Sequence, residues 1–451
     1  MSTPPVVPAD IIGPSALDLA PPTSRRRVLA WGMWDWGTQP FNTVITTFVF
    51  SVYITSEAFG ATNTTSTALA ISTALAGLFV AVLAPVLGQN SDRSGRTVSH
   101  LRAQTWLLAG LSASLFFVVP EPGFLWVGLG LLAVGSVVSE IAGVNYNSTI
   151  DQVATTRTVG RVSGFGWGMG YLGGIIVLLL IYFAFIQPDV GLFGVTSANG
   201  LDIRVSMLVC GVWTLLFTIP AFLLLKDRPR ERTPRVGVAQ SYRLVWRSIR
   251  GLWAVSRHTV YFLLASALFR DGLAGVFAFG AILAAGTFGL TAGDVIIFGA
   301  AANIVAGVAT MGFGLLDDRL GPKRVILISL GALVVLGILI FVLHDGGKAV
   351  FWPLGLAMTV FVGPAQAASR SFLARLVPEG KGGEIFGLYA TTGRVVSFLS
   401  PLLFGLFIAV GAAVTGQENT QYWGILGIVV ILAAGFAVMI PVKEHGEHRV
   451  S

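Results

Sequence analysis

The sequence predicts an all-α membrane protein, with twelve transmembrane helices arranged as two pseudo-symmetric six-helix bundles. Three observations carry that expectation. The 451 residues are 54% hydrophobic and only 11% charged, with a mean hydropathy of +0.78, against about 25% charged residues in a soluble domain. Apolar runs of about 20 residues recur along the chain, each long enough to cross a bilayer core as a helix. Finally, a charged segment between two such runs, GQNSDRSGR at 88–96, returns in looser form as GLLDDRLGPK at 314–323. Gly88, Asp92, Arg93 and Gly95 map onto Gly314, Asp318, Arg319 and Gly321 at one constant offset of about half the chain. A repeat of that length suits an internally duplicated membrane protein and is far too long for a solenoid.

In chain order, residues 1–27 are expected to form a disordered cytoplasmic tail, Pro-, Ala- and Ser-rich at its start and without the apolar stretch of a signal peptide. Helices are expected over 28–54, 66–87, 99–119, 124–147, 161–186 and 206–225, which make the first bundle (28–225). A basic linker follows over 226–258. A second bundle (259–441) has helices over 259–288, 293–315, 324–343, 351–373, 383–411 and 422–441. A short tail, 442–451, ends the chain. Lys and Arg set the orientation. With both termini cytoplasmic, all of them fall in cytoplasmic segments except Arg204 and Lys348 in outer loops and Arg270 and Arg394 within helices. That distribution accounts for the net charge of +7 as inside-positive loops on anionic lipid, with no nucleic-acid partner. The single cysteine, Cys210, excludes disulfides and Cys-ligated metal sites.

The halves match beyond the charged segment. Asp35-x5-Phe41 answers Asp271-x5-Phe277, and Ser148, Gly160, Gly164 and Gly170 answer Ser371, Gly383, Gly387 and Gly393. Gly168, Gly170 and Gly173 form a G-x-G-x-x-G. It lies inside a membrane helix and follows no strand, so close helix packing explains it and nucleotide binding does not.

The pattern G-x3-D-R-x-G-R/K resembles the signature loop between helices 2 and 3 of the major facilitator superfamily. Four longer stretches, 31–54 (WGMWDWGTQPFNTVITTFVFSVYI), 160–174, 268–282 and 366–405, are similar to its vacuole-effluxer-like branch. That branch is named for fungal vacuolar amino-acid exporters and has many bacterial members. The likeness covers nearly the whole chain outside the tail and linker. Where the branch reads Y-D-W-A-N-S, this chain has W-D-W-G-T-Q, which keeps Asp35 and Trp36 and moves the polar position to Thr38 and Gln39. The resemblance implies a major facilitator fold with helices 1 and 7 lining a central cavity. It also implies an integral protein of a bacterial plasma membrane, expected as a monomer.

Ionisable groups inside helices cost a few kcal/mol each and call for an explanation. Those picked out from the sequence are Asp35, Glu140, Arg270, Asp271 and Arg394. Asp35 and Asp271 form either a proton- or substrate-binding pair or a structural ion-pair network at the cytoplasmic ends. Arg394 lies about eleven residues into helix 11, roughly 16 Å at 1.5 Å per residue. Its guanidinium cannot lose a proton, so it pairs with Asp271 or Glu140, or with an anionic solute. Glu140 and Asn147, seven residues apart, share one helix face. Gln39, Asn42, Asn303 and Gln366 are weaker cavity candidates. Trp31 and Trp34 are read as interfacial anchors, and Trp36, beside Asp35, as lining the cavity.

The candidate substrate or proton-coupling residues are therefore Asp35, Trp36, Gln39, Glu140, Asn147, Asp271 and Arg394. The candidate conformational-switch residues are Gly88, Asp92, Arg93, Gly95, Arg96, Asp318, Arg319 and Gly321, with Asp92 expected to face the cytoplasmic end of helix 11 near Gly382 and Gly383. No Walker motif, HExxH or nucleophile elbow is present, so no enzyme, cofactor or metal site is expected. The expected activity is secondary active transport by alternating access of a small polar solute such as an amino acid, with proton coupling resting on carboxylates. A cation-coupled sugar or lipid-like carrier and a non-transporting membrane scaffold or sensor are the alternatives.

Overall fold

The computed structural model describes residues 15–20, 22–228, 242–243, 250, 257–377, 381–417 and 419–443. Most of the expected linker (226–258) and the ends of both expected tails lie outside these residues. Among the described residues there is no strand, and twelve helical spans follow one another.

In the first bundle α1 begins as Arg25–Pro40, continues as a π-helix over Phe41–Phe48 and ends with Phe50–Ile54. Then come α2 (Thr62–Ser94), α3 (Thr97–Ser114), α4 (Leu125–Ser148), α5 (Val159–Ile181) and α6 (Leu201–Leu224). The second bundle has α7 (Arg257–Gly286), α8 (Ala292–Leu320), α9 (Pro322–Val342) and α10 (Gly347–Leu376). It closes with α11, made of two pieces (Gly382–Val396 and Leu399–Thr415), and α12 (Gly424–Met439). Ten spans are long and apolar enough to cross a membrane by length and composition. The other two are α1, which carries the polar DWGTQPFNT run and a π segment, and α3, which opens with His100 and Arg102. Large apolar side chains such as Leu78, Leu223, Val308 and Val342 are more than half exposed. That suits a lipid-facing surface and not water.

The helix ends depart instructively from the sequence reading. The charged segment is mostly helix: α2 runs through Asp92 and Arg93 to Ser94, and only Gly95, at φ 62°, turns the chain. Likewise α8 continues through Asp318 and Arg319 to Leu320, and Gly321, at φ 85°, ends it. A side chain at either glycine would be strained, which is why the charged residues sit on the last helical turn. The tail expected to be disordered over 1–27 is placed against the bundles from residue 15. Ala16 and Leu17 are buried, Ala16 N–H donates to Val377 O at 3.1 Å, and Thr156 Oγ1 donates to Asp18 Oδ1 at 2.6 Å. A short apolar pair with somewhere to be buried overrides the polar composition around it.

The bundles are built alike. In the first, α1 packs on α5 and α6, and α4 on α2 and α3; in the second, α7 packs on α11 and α12, and α10 on α8 and α9. Two long seams join the bundles, α2 against α11 and α5 against α8. Both depend on glycine. A Cβ at Gly164 would lie 2.6 Å from Thr310 O, and one at Gly387 2.7 Å from Ala84 O. Gly95, residues 149–152, Lys226, Arg228 and Val377 lie together on one face, which with Arg96 and Arg157 nearby in the chain is called here the basic face.

Candidate functional site

Just inside the basic face, a guanidinium from the second bundle is enclosed by the first. Arg370, on α10, donates through Nη1 to Asn147 Oδ1 at 3.2 Å and Asp35 Oδ2 at 3.4 Å, through Nε to Ser163 Oγ at 2.9 Å and through Nη2 to Ser163 O at 2.6 Å. Its Cζ lies 4.8 Å from the centre of the Trp31 ring and 5.7 Å from those of Tyr146 and Trp167. Tyr146 OH donates to the same Asp35 oxygen at 2.9 Å. The Arg370 side chain is 4% exposed and that of Asp35 20%. A charge this deep is stable only with its partners in place.

Local sequence makes the enclosure possible. A Cβ at Gly166 would sit 2.6 Å from Trp31 and within 3 Å of both Asp35 Oδ2 and Arg370 Nη2, so α5 must offer a bare backbone there. Trp31 and Trp34 stack on either side of Tyr146, with ring centres 4.4 and 4.1 Å apart. Their indole N–H groups donate to Thr149 and Thr105. Both tryptophans are buried, so they brace the enclosure and are not interfacial anchors.

Of the sequence-derived candidates, Asp35 and Asn147 meet here, and Gln39 lies one turn further on, against Gly170 and Gly174 of α5. Trp36 does not belong. It stacks on Trp213 of α6, and its carbonyl accepts from the Trp213 indole, because one residue of helix rotates it about 100° away from Asp35. Glu140 and Arg394 form a close ion pair between α4 and α11, half open to solvent at 36% and 33% exposure. Asp271 joins neither cation; it accepts the Ser400 N–H at 2.7 Å and caps the second piece of α11. Its neighbour Arg270 stacks on Tyr389 with Cζ 3.8 Å from the ring centre, and donates to Tyr389 O at 2.9 Å. No carboxylate pairs with Arg270 among the described residues. Tyr389 OH hydrogen-bonds Ser369, the residue beside Arg370.

The switch residues sit on the two seams. Asp92 accepts the N–H groups of Gly383 at 2.8 Å and Glu384 at 2.9 Å, the place expected for it at the N-terminus of α11. Gly88 packs on the Gly383 backbone. Asp318 accepts the N–H groups of Gly160 at 2.8 Å and Arg161 at 3.3 Å, at the N-terminus of α5. A carboxylate at each helix N-terminus meets free N–H groups and the positive end of the dipole. Arg93 is half-buried, while Arg96 and Arg319 are exposed.

The family model for "Vacuole effluxer Atg22 like" matches residues 51–448. The chain belongs to that family. Among curated relatives, an uncharacterized MFS-type transporter, YxiO, of Bacillus subtilis is 26% identical over 433 residues, covering 94% of this chain and 96% of its own. The Autophagy-related protein 22 of Kluyveromyces lactis is 26% identical over 336 residues, 67% of this chain and 64% of its own. The fold matches solved major facilitator structures. The proton:xylose symporter XylE superposes with TM-score 0.72 at 12% identity over 93% of this chain and 96% of its own. The transporter FucP gives 0.67 at 14% identity, over 93% and 98%. The family and its structural neighbours are membrane transporters and not enzymes, and so is this chain.

Sequence reasoning missed Arg370, Tyr146, Ser163 and Trp167, and noted Arg270 without assigning it to the site. The glycine run of α5 was the available signal. Glycines at one-turn spacing mark where another helix, and here a side chain between helices, must come close.

Proposed function

We propose that the chain is a secondary active transporter working by alternating access on a small polar solute, an amino acid in the first instance. Proton coupling would rest on a carboxylate, Glu140 first. The expected setting is a bacterial plasma membrane, with both termini cytoplasmic and the chain acting as a monomer. The observation that carries the reading is Arg270. A guanidinium cannot shed its proton, and this one, half-buried, is met among the described residues by a ring and a carbonyl and by no carboxylate. A solute carboxylate would complete its coordination. The Glu140–Arg394 pair, shared between bundles and half open, offers a second place where a solute carboxylate could displace a protein one. The contacts that hold the basic face shut, through Asp92, Asp318 and Arg370, all run from one bundle to the other. Parting the bundles would break them and leave each bundle's own packing intact.

The test is thermal stability of the purified protein against amino acids, sugars and lysolipids, since a ligand that binds only the folded state raises its apparent melting temperature. Amino acids should raise it, and Arg270→Gln should remove that shift with the ligand-free melting temperature unchanged. Arg394→Lys keeps the charge and loses the planar fork, so binding should weaken by about 1–3 kcal/mol. Shifts from sugars or lysolipids alone would transfer the reading to the other carrier class. No ligand shift together with no uptake into proteoliposomes would leave the scaffold alternative.

A further inference from the structure

The enclosure around Arg370 has an uneven construction. Every group that surrounds the guanidinium belongs to the first bundle: Trp31 and Asp35 on α1, Tyr146 and Asn147 on α4, Ser163 and Trp167 on α5. Only the guest comes from the second bundle, on α10. The host is thus a complete cation receptor, with a carboxylate, a side-chain amide oxygen, a backbone carbonyl, a hydroxyl and three ring faces. Of these groups the Ser163 hydroxyl also touches the second bundle, donating to Ala367 O of α10 at 2.7 Å; the others have first-bundle contacts of their own. Tyr146 is stacked between Trp31 and Trp34 and donates to Asp35, contacts that lie wholly within the first bundle.

Any motion that parts the bundles on the basic face withdraws Arg370 and leaves the receptor standing. A buried carboxylate without a cation is costly. Among the described residues Asp35 would then keep only the Tyr146 hydroxyl as a side-chain donor, and the Asn147 oxygen and the Ser163 carbonyl would lose the guanidinium, the carbonyl keeping its helical amide. A proton on Asp35 would neutralise one group and satisfy none of the other acceptors. A compact nitrogen cation with several N–H donors would satisfy them together and sit against the same ring faces.

We infer that the Asp35 enclosure is an exchangeable cation site. Arg370 fills it while the basic face is closed, and the cationic head of a solute, a primary ammonium or a guanidinium, fills it when that face opens. Arg370 is in this sense a tethered stand-in for the solute. The inference rests on the alternating-access reading above and sharpens it: the transported class carries a cationic nitrogen, and that nitrogen binds the first bundle through Asp35 and the rings. A ligand moves such an equilibrium only by binding one state better than the other, and free cation competes with Arg370 for a single site.

Methylguanidinium is the probe, with sodium at equal ionic strength as its control. The reporter is Ala374→Cys in a Cys210→Ala background. Ala374 is buried on the basic side one turn beyond Arg370, in the pocket between the bundles. Methylguanidinium should raise the maleimide labelling rate of this cysteine several-fold, and Asp35→Asn should abolish the increase. In Arg370→Ala, methylguanidinium should raise the melting temperature saturably, and again not when Asp35→Asn is added. Labelling that responds to lowered pH and ignores methylguanidinium would overturn the inference in favour of a proton. So would Arg370→Ala showing no stabilisation by the cation. Failure of the parent reading looks different. If Asp318→Asn also leaves labelling unchanged, the face does not open at all; if Asp318→Asn opens it and methylguanidinium does not, only the cation site falls.

Discussion

The two seams on the basic face are the same object built twice, and they differ in charge. Gly160 meets Gly314 on one and Gly383 meets Gly88 on the other; Gly164 crosses at Thr310, and Gly387 at Ala84. An aspartate on the last turn of α8 or α2 accepts from the amides of the second and third residues of the opposing helix. At the α5 seam the residue after the glycine is Arg161, whose Nε lies 2.7 Å from Asp318. Arg375 adds a second guanidinium, 3.1 Å from Asp317 and 3.8 Å from Asp318. At the α11 seam the same position is Glu384, buried, with Oε1 lacking a hydrogen-bond partner. The duplication has kept the backbone geometry and let the charges diverge. Beside the aspartate stands an arginine at the α5 seam and a second carboxylate at the α11 seam. Opening of the basic face should therefore begin at α2–α11 and pivot on α5–α8.

The largest effect expected is one that ignores this difference. Valine at Gly164 or at Gly387 would drive its Cβ to within 2.7 Å of a carbonyl on the opposing helix. Backbone cannot step aside as a flexible side chain can. Each substitution should cost the closed state about 1–3 kcal/mol or more, similarly on both seams, and should expose Ala374→Cys to labelling. A valine tolerated at one seam without change in melting temperature or labelling would break the claim of equal backbone geometry.

Removing the aspartates should then separate the seams. Asp318→Asn loses an ion pair and two charge-assisted hydrogen bonds, worth about 2 kcal/mol together given that Arg161 is half exposed. Asp92→Asn should cost about 1 kcal/mol, because relief of its repulsion with Glu384 offsets part of what its contacts to the Gly383 and Glu384 amides lose. Denaturation midpoints and labelling rates measure both. Equal costs, or a larger one at Asp92, would show that the charge difference carries no weight.

Much of this was legible in the sequence, and the gaps have identifiable causes. The constant offset between the charged segments and between the glycines of α5 and α11 already pairs the residues that meet on the seams. Arg370 was hidden because it lies five residues before Arg375, at the basic end of a helix, where a count of inside-positive charges absorbs it. Asp271 holds the place of Asp35 in the repeat, yet its partner is an amide exposed by the break in α11 at Ser397 and Phe398. Neither residue is a helix breaker, so the break could not be read. Trp36 misled by adjacency: neighbours in sequence point to different faces of a helix. Arg394, expected deep within helix 11, does lie inside that span, but the break that the sequence does not show puts it in the last turn of the first α11 piece, where the dipole favours a cation.

The smallest effect is the most discriminating. Glu384→Gln keeps the shape at the α11 seam and removes the charge beside Asp92. If like charge weakens that seam, the substitution should tighten it by a few tenths of a kcal/mol, up to about 1, and slow labelling of Ala374→Cys. Arg161→Gln should loosen the α5 seam by about 0.5 kcal/mol, the scale of an exposed pair. Salt tells the two apart. The Arg161 side chain is 52% exposed, so its contribution should fade as the screening length shortens from about 10 Å at 0.1 M to about 3 Å at 1 M. Glu384 is 6% exposed, and its repulsion with Asp92 acts through protein, so the gain from Glu384→Gln should survive. With both substitutions the seams become nearly alike in charge, and opening should lose its preferred side. A Glu384→Gln variant that loosens the seam, or whose effect disappears with salt as fast as that of Arg161→Gln, would mean that Glu384 is compensated by a cation. The contrast between the two seams would then be one of sequence and not of energy.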